Sequence, residues 1–245
     1  MTASNATILP EITHAFSPLS ETRLPAPNVT CFDNSTLQVR GFVANPGMLY
    51  EFLGTAQAVN PNRAVSVSCK PAPSSTKGMT NATLTISGAS ESWFTWVGAT
   101  EYDQDAGDQA HSFTFRGADP HFALTSLLQS ATSPSLSYAS VLSAHTDDFK
   151  TVMTPFALSL GQTPNLSNST DQIVAAYKTD VGDPYLEWLL FNYGRYLLAS
   201  SARGTLPASL QGKWAKDARN IWSSGGFLNL VYLTLHMLNK CLHLR

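Results

Sequence analysis

Few stretches of this chain set reactive side chains at spacings that would let them act together. His145 and Asp148 stand three residues apart, so on a helix they would share a face and suit proton exchange. Asp103 to Gly107 gathers carboxylates in a turn. Its spacing does not fit an EF-hand and no bidentate Glu follows in place, so it reads as an acidic turn rather than a calcium loop. The six His are scattered without ligand spacing, and neither a metal nor a cofactor is expected. Trp93, Phe94 and Trp96 are the candidates for an aromatic sugar-stacking platform, with strand alternation expected to set Phe94 opposite Trp93 and Trp96. Six Asn-x-Ser/Thr sequons, at Asn5, Asn28, Asn34, Asn81, Asn165 and Asn168, are candidate glycosylation sites.

Composition narrows the class. Charged residues make up 13% of 245, against about 25% in ordinary domains, and the formal net charge is −2. Nothing resembles the basic patch that nucleic-acid binding needs. Low charge with six sequons favours a glycosylated, secreted protein, yet MTASNATILPEIT has neither a basic start nor an apolar h-region, so no signal peptide is visible. Three cysteines are too few for a disulfide framework. Cys31 and Cys69 suit either a pair between neighbouring strands or two buried thiols acting as small apolar residues.

The elements that must position these groups change character along the chain. Residues 28 to 120 read as β: STLQVRGFV and MLYEFLGTAQAV flank an Asn45-Pro46-Gly47 turn, and AVSVSC, NATLTISGA and SWFTWVGAT follow as short strands. From Asp119 the period becomes helical, with Phe122, Leu124, Leu127 and Leu128 clustered. Ser137 then suits the cap of a helix that carries Tyr138, Val141, Leu142 and Phe149 on one side. Residues 161–171 read as a polar loop. A strong helix start follows, with Asp183 as N-cap, Pro184 in the first helical position and Glu187 in the first turn. That helix is apolar nearly all round, which predicts burial between other elements.

The run FNYGRYLLASSARGTLPASLQGKW, from Phe191 to Trp214, resembles the opening of the catalytic domain of glycoside hydrolase family 95, the α-L-fucosidases. Tyr193, Gly194, Arg195, Tyr196, Leu206, Pro207, Leu210, Gln211 and Gly212 are among the residues that match. Upstream, Arg40, Gly41, Pro46, Gly47, Met48, Tyr50 and Glu51 are similar to a hairpin of the family's N-terminal sandwich. Tyr138, Leu142, His145, Asp148 and Phe149 are similar to its linker, which would take His145 and Asp148 away from the chemistry.

The resemblance implies an α+β fold: a partial antiparallel β-sandwich, then linker helices and the first helices of an incomplete (α/α)6 barrel. The expected division is a poorly ordered 1–27, a partial sandwich over 28–118, a helical linker over 119–171 and the start of a truncated catalytic domain over 172–245. The implied activity is inverting hydrolysis of terminal, α-1,2-linked fucose from oligosaccharides. Gln211 and Trp214 are the candidates to approach the sugar. The family's His-x-Asn-x-Asn signature should follow the loop at Ile221–Ser224, but the chain then reads GGFLNLVYLTLHMLNKCLHLR, with Asn229 and Asn239 well apart. The expectation is therefore an internal fragment, inactive as written, with no catalytic residue assigned. The intact family member would belong to the secretory pathway. The apolar tail invites a membrane anchor, but Asn229, His236, Asn239, Lys240 and His243 argue against it. A non-catalytic carbohydrate-binding sandwich module is the alternative.

Overall fold

The computed structural model describes residues 8–17, 25–43 and 47–203. Contacts divide the chain into two units, Met1–Ser137 and Tyr138–Arg245.

The described residues of the first unit form seven strands and one helix. A four-stranded antiparallel sheet has the order β2 (Asn28–Asp33), β3 (Thr36–Phe42), β4 (Leu49–Val59), β7 (Glu91–Thr100). A three-stranded sheet has the order β1 (Ile12–Ala15), β6 (Asn81–Ser87), β5 (Ser66–Ala72). The register Val39↔Phe52 and Gly54↔Trp96 puts Val39, Phe52, Gly54 and Trp96 on one face of the larger sheet. Val29, Leu37, Val39 and Ala56 pack from that face against Ala82, Leu84 and Ile86 of β6, whose alternate residues are buried.

The opposite face is covered by α1 (His121–Ala131). Leu124 and Leu128 meet Leu53 and Val97 there in a second small core. Leu53 is thus fully buried, and β4 has apolar neighbours on both faces, which is why its buried run LYEFLGTA lacks a clean alternation. Of the four apolar residues expected to cluster in α1, Leu124 and Leu128 are buried, while Phe122 is 83% exposed and Leu127 55%.

Three expectations change here. Ile12–Ala15 lie within the segment expected to be poorly ordered, yet they pair with Thr83–Ile86. Alternate Thr13 faces Thr85, and Ile12 packs on the core. The expected linker over 119–171 is divided, because α1 is bound to the sandwich through Leu124 and Leu128 and belongs to the first unit. Phe94 and Trp96 share a face because residues two apart in a strand point the same way; Trp93 points to the other side.

Cys31 of β2 and Cys69 of β5 form a disulfide with Cα atoms 5.7 Å apart. It joins strands of different sheets and so ties one side of the sandwich together.

The second unit contains α2 (Tyr138–Met153), α3 (Thr170–Ala176) and α4 (Pro184–Ser201). α2 begins directly after Ser137, as its capping potential suggests. α3 arises where a polar loop is expected to run to residue 171. Its signal is a capping box: Ser169 receives the N3 backbone, and the Ser169 N–H donates to Gln172 Oε1 at 3.1 Å. α4 starts at Asp183, whose carboxylate accepts from the N–H groups of Tyr185 and Leu186 at 2.9 and 3.0 Å. Glu187 Oε1 accepts from the Asp183 N–H and the Tyr177 hydroxyl, which fastens the incoming chain to the first turn.

Candidate functional site

The residues of α4 that carry the sequence motif also hold this unit together. Arg195 lies half-buried beside Phe156 and Phe191, with its guanidinium carbon 5.2 and 5.9 Å from the two ring centroids. Its Nη2 donates to the Met153 carbonyl at 2.9 Å, an acceptor in the last turn of α2 that has no partner within that helix. Its Nη1 donates to Asn192 at 3.2 Å. Five fixed donors in a planar fork suit this double task, and a lysine at this position would lose both the fork and the stacking. Phe149 and Tyr196 meet edge-on between the same two helices.

His145 and Asp148 share α2 but do not form an acid–base pair. Asp148 Oδ1 accepts from Arg203 Nη2 at 2.6 Å, and His145 is exposed. Other carboxylates here are also engaged: Asp147 with Lys150, Asp183 with the helix start, and Glu187 with Tyr177. Arg195 therefore reads as an assembly residue, and the described part of this unit brings no general acid opposite a general base. Gln211 and Trp214, the two substrate-binding candidates, lie outside the described residues, as does Asn5.

One face of α4 rests on these contacts. Leu190, Tyr193, Tyr196, Leu197 and Leu198 remain between 41% and 56% exposed, and only Leu186 is fully buried. The burial on all sides that its composition predicts is not provided by the described residues. Gly194 meets no atom within 4 Å of where a Cβ would stand, so its side of the helix is open as well.

The sandwich carries a polar cluster and an apolar recess. Glu51, fully buried on the α1 side, accepts from Arg40 Nη1 at 2.5 Å and Gln38 Nε2 at 2.9 Å, and its Oε1 lies 2.7 Å from His121 Nδ1. Arg40 also pairs with Asp119, whose hydrogen bond to the guanidinium holds its carboxyl below the usual range; the same bond and the neighbouring carboxylates raise the guanidinium. Arg40 and Glu51 are two of the hairpin-motif residues. Here they anchor the start of α1 to the sheet, a contact the sequence pattern alone does not reveal.

The recess opens on the other face, between β1 and β7. It encloses about 210 Å³ and is lined chiefly by His14, Phe16, Phe52, Phe94 and Trp96, with no carboxylate. His14 stacks on Phe94 with centroids 4.4 Å apart, and burial pushes its imidazolium below the usual range. Phe52 and Trp96 lie 5.7 Å apart and keep 36% and 45% of their surface exposed. Trp93 donates to Gln57 at 2.8 Å on the opposite face. At Asp103–Gly107, Asp103 Oδ1 accepts from the Asp105 N–H in a closed Asx turn, with Ala106 buried beneath. No group of three or more potential metal ligands occurs among the described residues.

Residues 137–232 match the glycosyl hydrolase family 95 catalytic domain. The chain is similar to a fragment of glycoside hydrolase family 95. It is 33% identical over 232 residues to the probable alpha-fucosidase A of Aspergillus niger, covering 93% of this chain and 27% of that protein. The counterpart from Aspergillus oryzae is 33% identical over 212 residues, covering 83% of this chain and 27% of its own length. Alpha-L-fucosidase 2 of Arabidopsis thaliana is 39% identical over 100 residues, 38% of this chain and 12% of that enzyme. The chain thus spans little more than a quarter of the fungal relatives. The family 95 match starts at residue 137, one residue before the second unit begins at Tyr138. The match runs to residue 232, past Ser224, where the sequence motif is expected to break off.

Proposed function

We propose that this chain is the portion of an inverting α-L-fucosidase that joins the sandwich to the first helices of the catalytic domain. We also propose that the enzyme removes terminal, α-1,2-linked fucose from glycans. The observation that carries this reading is the family 95 match over residues 137–232, continued upstream by the similarity to two fungal alpha-fucosidases.

We further propose that these 245 residues do not hydrolyse fucosides by themselves. Inversion needs a carboxylic acid at the leaving oxygen and a base on the opposite face, about 6.5–9.5 Å away, with a water between. In the described part of the helical unit, carboxylates serve caps and ion pairs. After Asp217 the sequence contains no Asp or Glu, and no Asn-x-Asn pair follows Trp222. Without an acid and a base held against the sugar, both proximity and proton transfer are lost. The test is fucose release from an α-1,2-fucosylated trisaccharide by the purified chain. No release is expected. Turnover abolished by a carboxylate substitution within residues 138–203 would overturn the reading.

A second reading, a carbohydrate-binding sandwich, is favoured by one observation: Phe52 and Trp96 stand half-exposed beside an apolar recess. Glycan binding lost on Trp96→Ala and kept on Trp93→Ala would support it. No binding across a glycan panel would remove its basis.

A further inference from the structure

We infer that this chain is an N-glycoprotein whose glycans stand at Asn28 and Asn168, while Asn34 and Asn81 stay bare. Two independent observations lead there, and neither depends on the hydrolase reading. The first is the Cys31–Cys69 disulfide, which belongs to an oxidising compartment, where N-glycan transfer also takes place in secretory cells. The second is the unequal setting of the sequon amides.

N-glycosylation makes a bond from the asparagine Nδ2 to the sugar C1. The C1–oxygen bond of a polyprenyl-pyrophosphate-linked oligosaccharide breaks, the lipid pyrophosphate leaves, and the amide gives up one proton to a base of the transferase. No oxidant or reductant is required. A glycan is then compatible with the fold where Nδ2 faces solvent, because a side-chain amide is planar and fixing its oxygen fixes its nitrogen.

Asn28 is exposed at the start of β2, an edge strand. Its Oδ1 accepts from the Thr80 N–H and hydroxyl at 3.2 and 3.1 Å, which turns Nδ2 away from that loop and leaves it without a protein acceptor among the described residues. Asn168 and Ser169, just ahead of α3, and Thr170, its first residue, are all exposed. The neighbouring Asn165 is half-buried. Two glycans three residues apart would crowd one another, and Asn168 is the better presented of the two.

Asn34 and Asn81 differ. Asn34 Nδ2 donates to the Val67 carbonyl at 2.9 Å, and its own carbonyl accepts from the Cys69 N–H at 2.7 Å, so this side chain and its backbone both bind β5 beside the disulfide. The hydroxyl of its sequon, on Thr36, is buried against Thr55. Asn81 is half-buried, and its Nδ2 donates to the Pro73 carbonyl at 2.9 Å. A sugar on either nitrogen would stand against the backbone that now receives its hydrogen bond.

The experiment is secretion of the full chain from a eukaryotic host behind a host leader, followed by peptide-N-glycanase treatment in heavy-oxygen water. Peptide mass spectrometry then locates the labelled aspartates. Label at Asn28 and Asn168, and none at Asn34 or Asn81, is expected; Asn28→Gln and Asn168→Gln should each remove one step of gel mobility. Absence of label from Asn28 or Asn168, including label at Asn165 in its stead, overturns the inference, as does label at Asn34 or Asn81. Because the mapping uses the unsubstituted chain, a variant that fails to fold does not blur the result.

Discussion

Replacing both Cys31 and Cys69 by alanine removes a cross-link that closes 38 residues of sequence. In the chain-entropy description, a loop of that length costs the unfolded state about 13 cal/mol/K, or about 4 kcal/mol at 25 °C. The bond also ties the two sheets on one side, where Asn34 adds its two hydrogen bonds to β5. Both terms favour the folded state, so the double variant should lose about 4 kcal/mol from the first unit. With a urea slope of about 2 kcal/mol/M, that moves the midpoint down by about 2 M. Circular dichroism at wavelengths dominated by strands would follow the sandwich, and tryptophan emission would report Trp93 and Trp96 together with Trp188, Trp214 and Trp222. Reduction of the unsubstituted chain should reproduce the shift. A midpoint that moves by less than about 0.5 M, with no further effect of reductant, would refute the reasoning, because the cross-link would then not constrain the chain.

Other outcomes follow from single side chains. Leu53→Ala empties a buried site packed by Val97, Leu124 and Leu128, and should destabilise the first unit by about 2–5 kcal/mol in chemical unfolding. Asp183→Ala deprives two N–H groups of their acceptor and should cost about 0.5–2 kcal/mol, read as lost helix signal and earlier melting of the second unit. Glu51→Ala leaves Arg40, Gln38 and His121 without their common acceptor, though Arg40 keeps Asp119, and should cost about 1–3 kcal/mol, more than His121→Ala, by the same unfolding assay. Asp119 titrates lower in the fold than in the unfolded chain, so its contribution is present above the ordinary carboxylate range and is lost as pH falls through the folded value. Because its side chain is 47% exposed, the loss below about pH 4 should be small, and Arg40→Ala should flatten it in an acid titration of stability.

How far the sequence foretold this depends on how local each signal is. The start of α4 was legible because Asp183, Pro184 and Glu187 lie within five residues and each acts on its own backbone. The β3–β4 hairpin was legible from its strand residues, which pair from Thr36↔Thr55 to Phe42↔Leu49. Pairing of Ile12–Ala15 with β6 was not, since the register is fixed some seventy residues away in Thr83–Ile86. The choice between a disulfide and two thiols was likewise open until β2 and β5 were brought together from separate sheets. Arg195 was visible as a motif letter, but its work depends on the Met153 carbonyl and Phe156, which lie outside the motif. Glu51 was masked in the same way: a charged residue in a strand pattern looks solvent-facing until α1 delivers His121 over it.

The proposed function makes residues 8–203 a scaffold portion that a family 95 relative could accept in place of its own. Its most direct test is a segment exchange in the Aspergillus niger relative, with the matching stretch replaced by residues 8–203 of this chain. The hybrid should fold and still release fucose from an α-1,2-fucosylated trisaccharide, with the β anomer appearing first by proton NMR. A hybrid that folds with native thermal stability and releases no fucose, or releases the α anomer first, would contradict it.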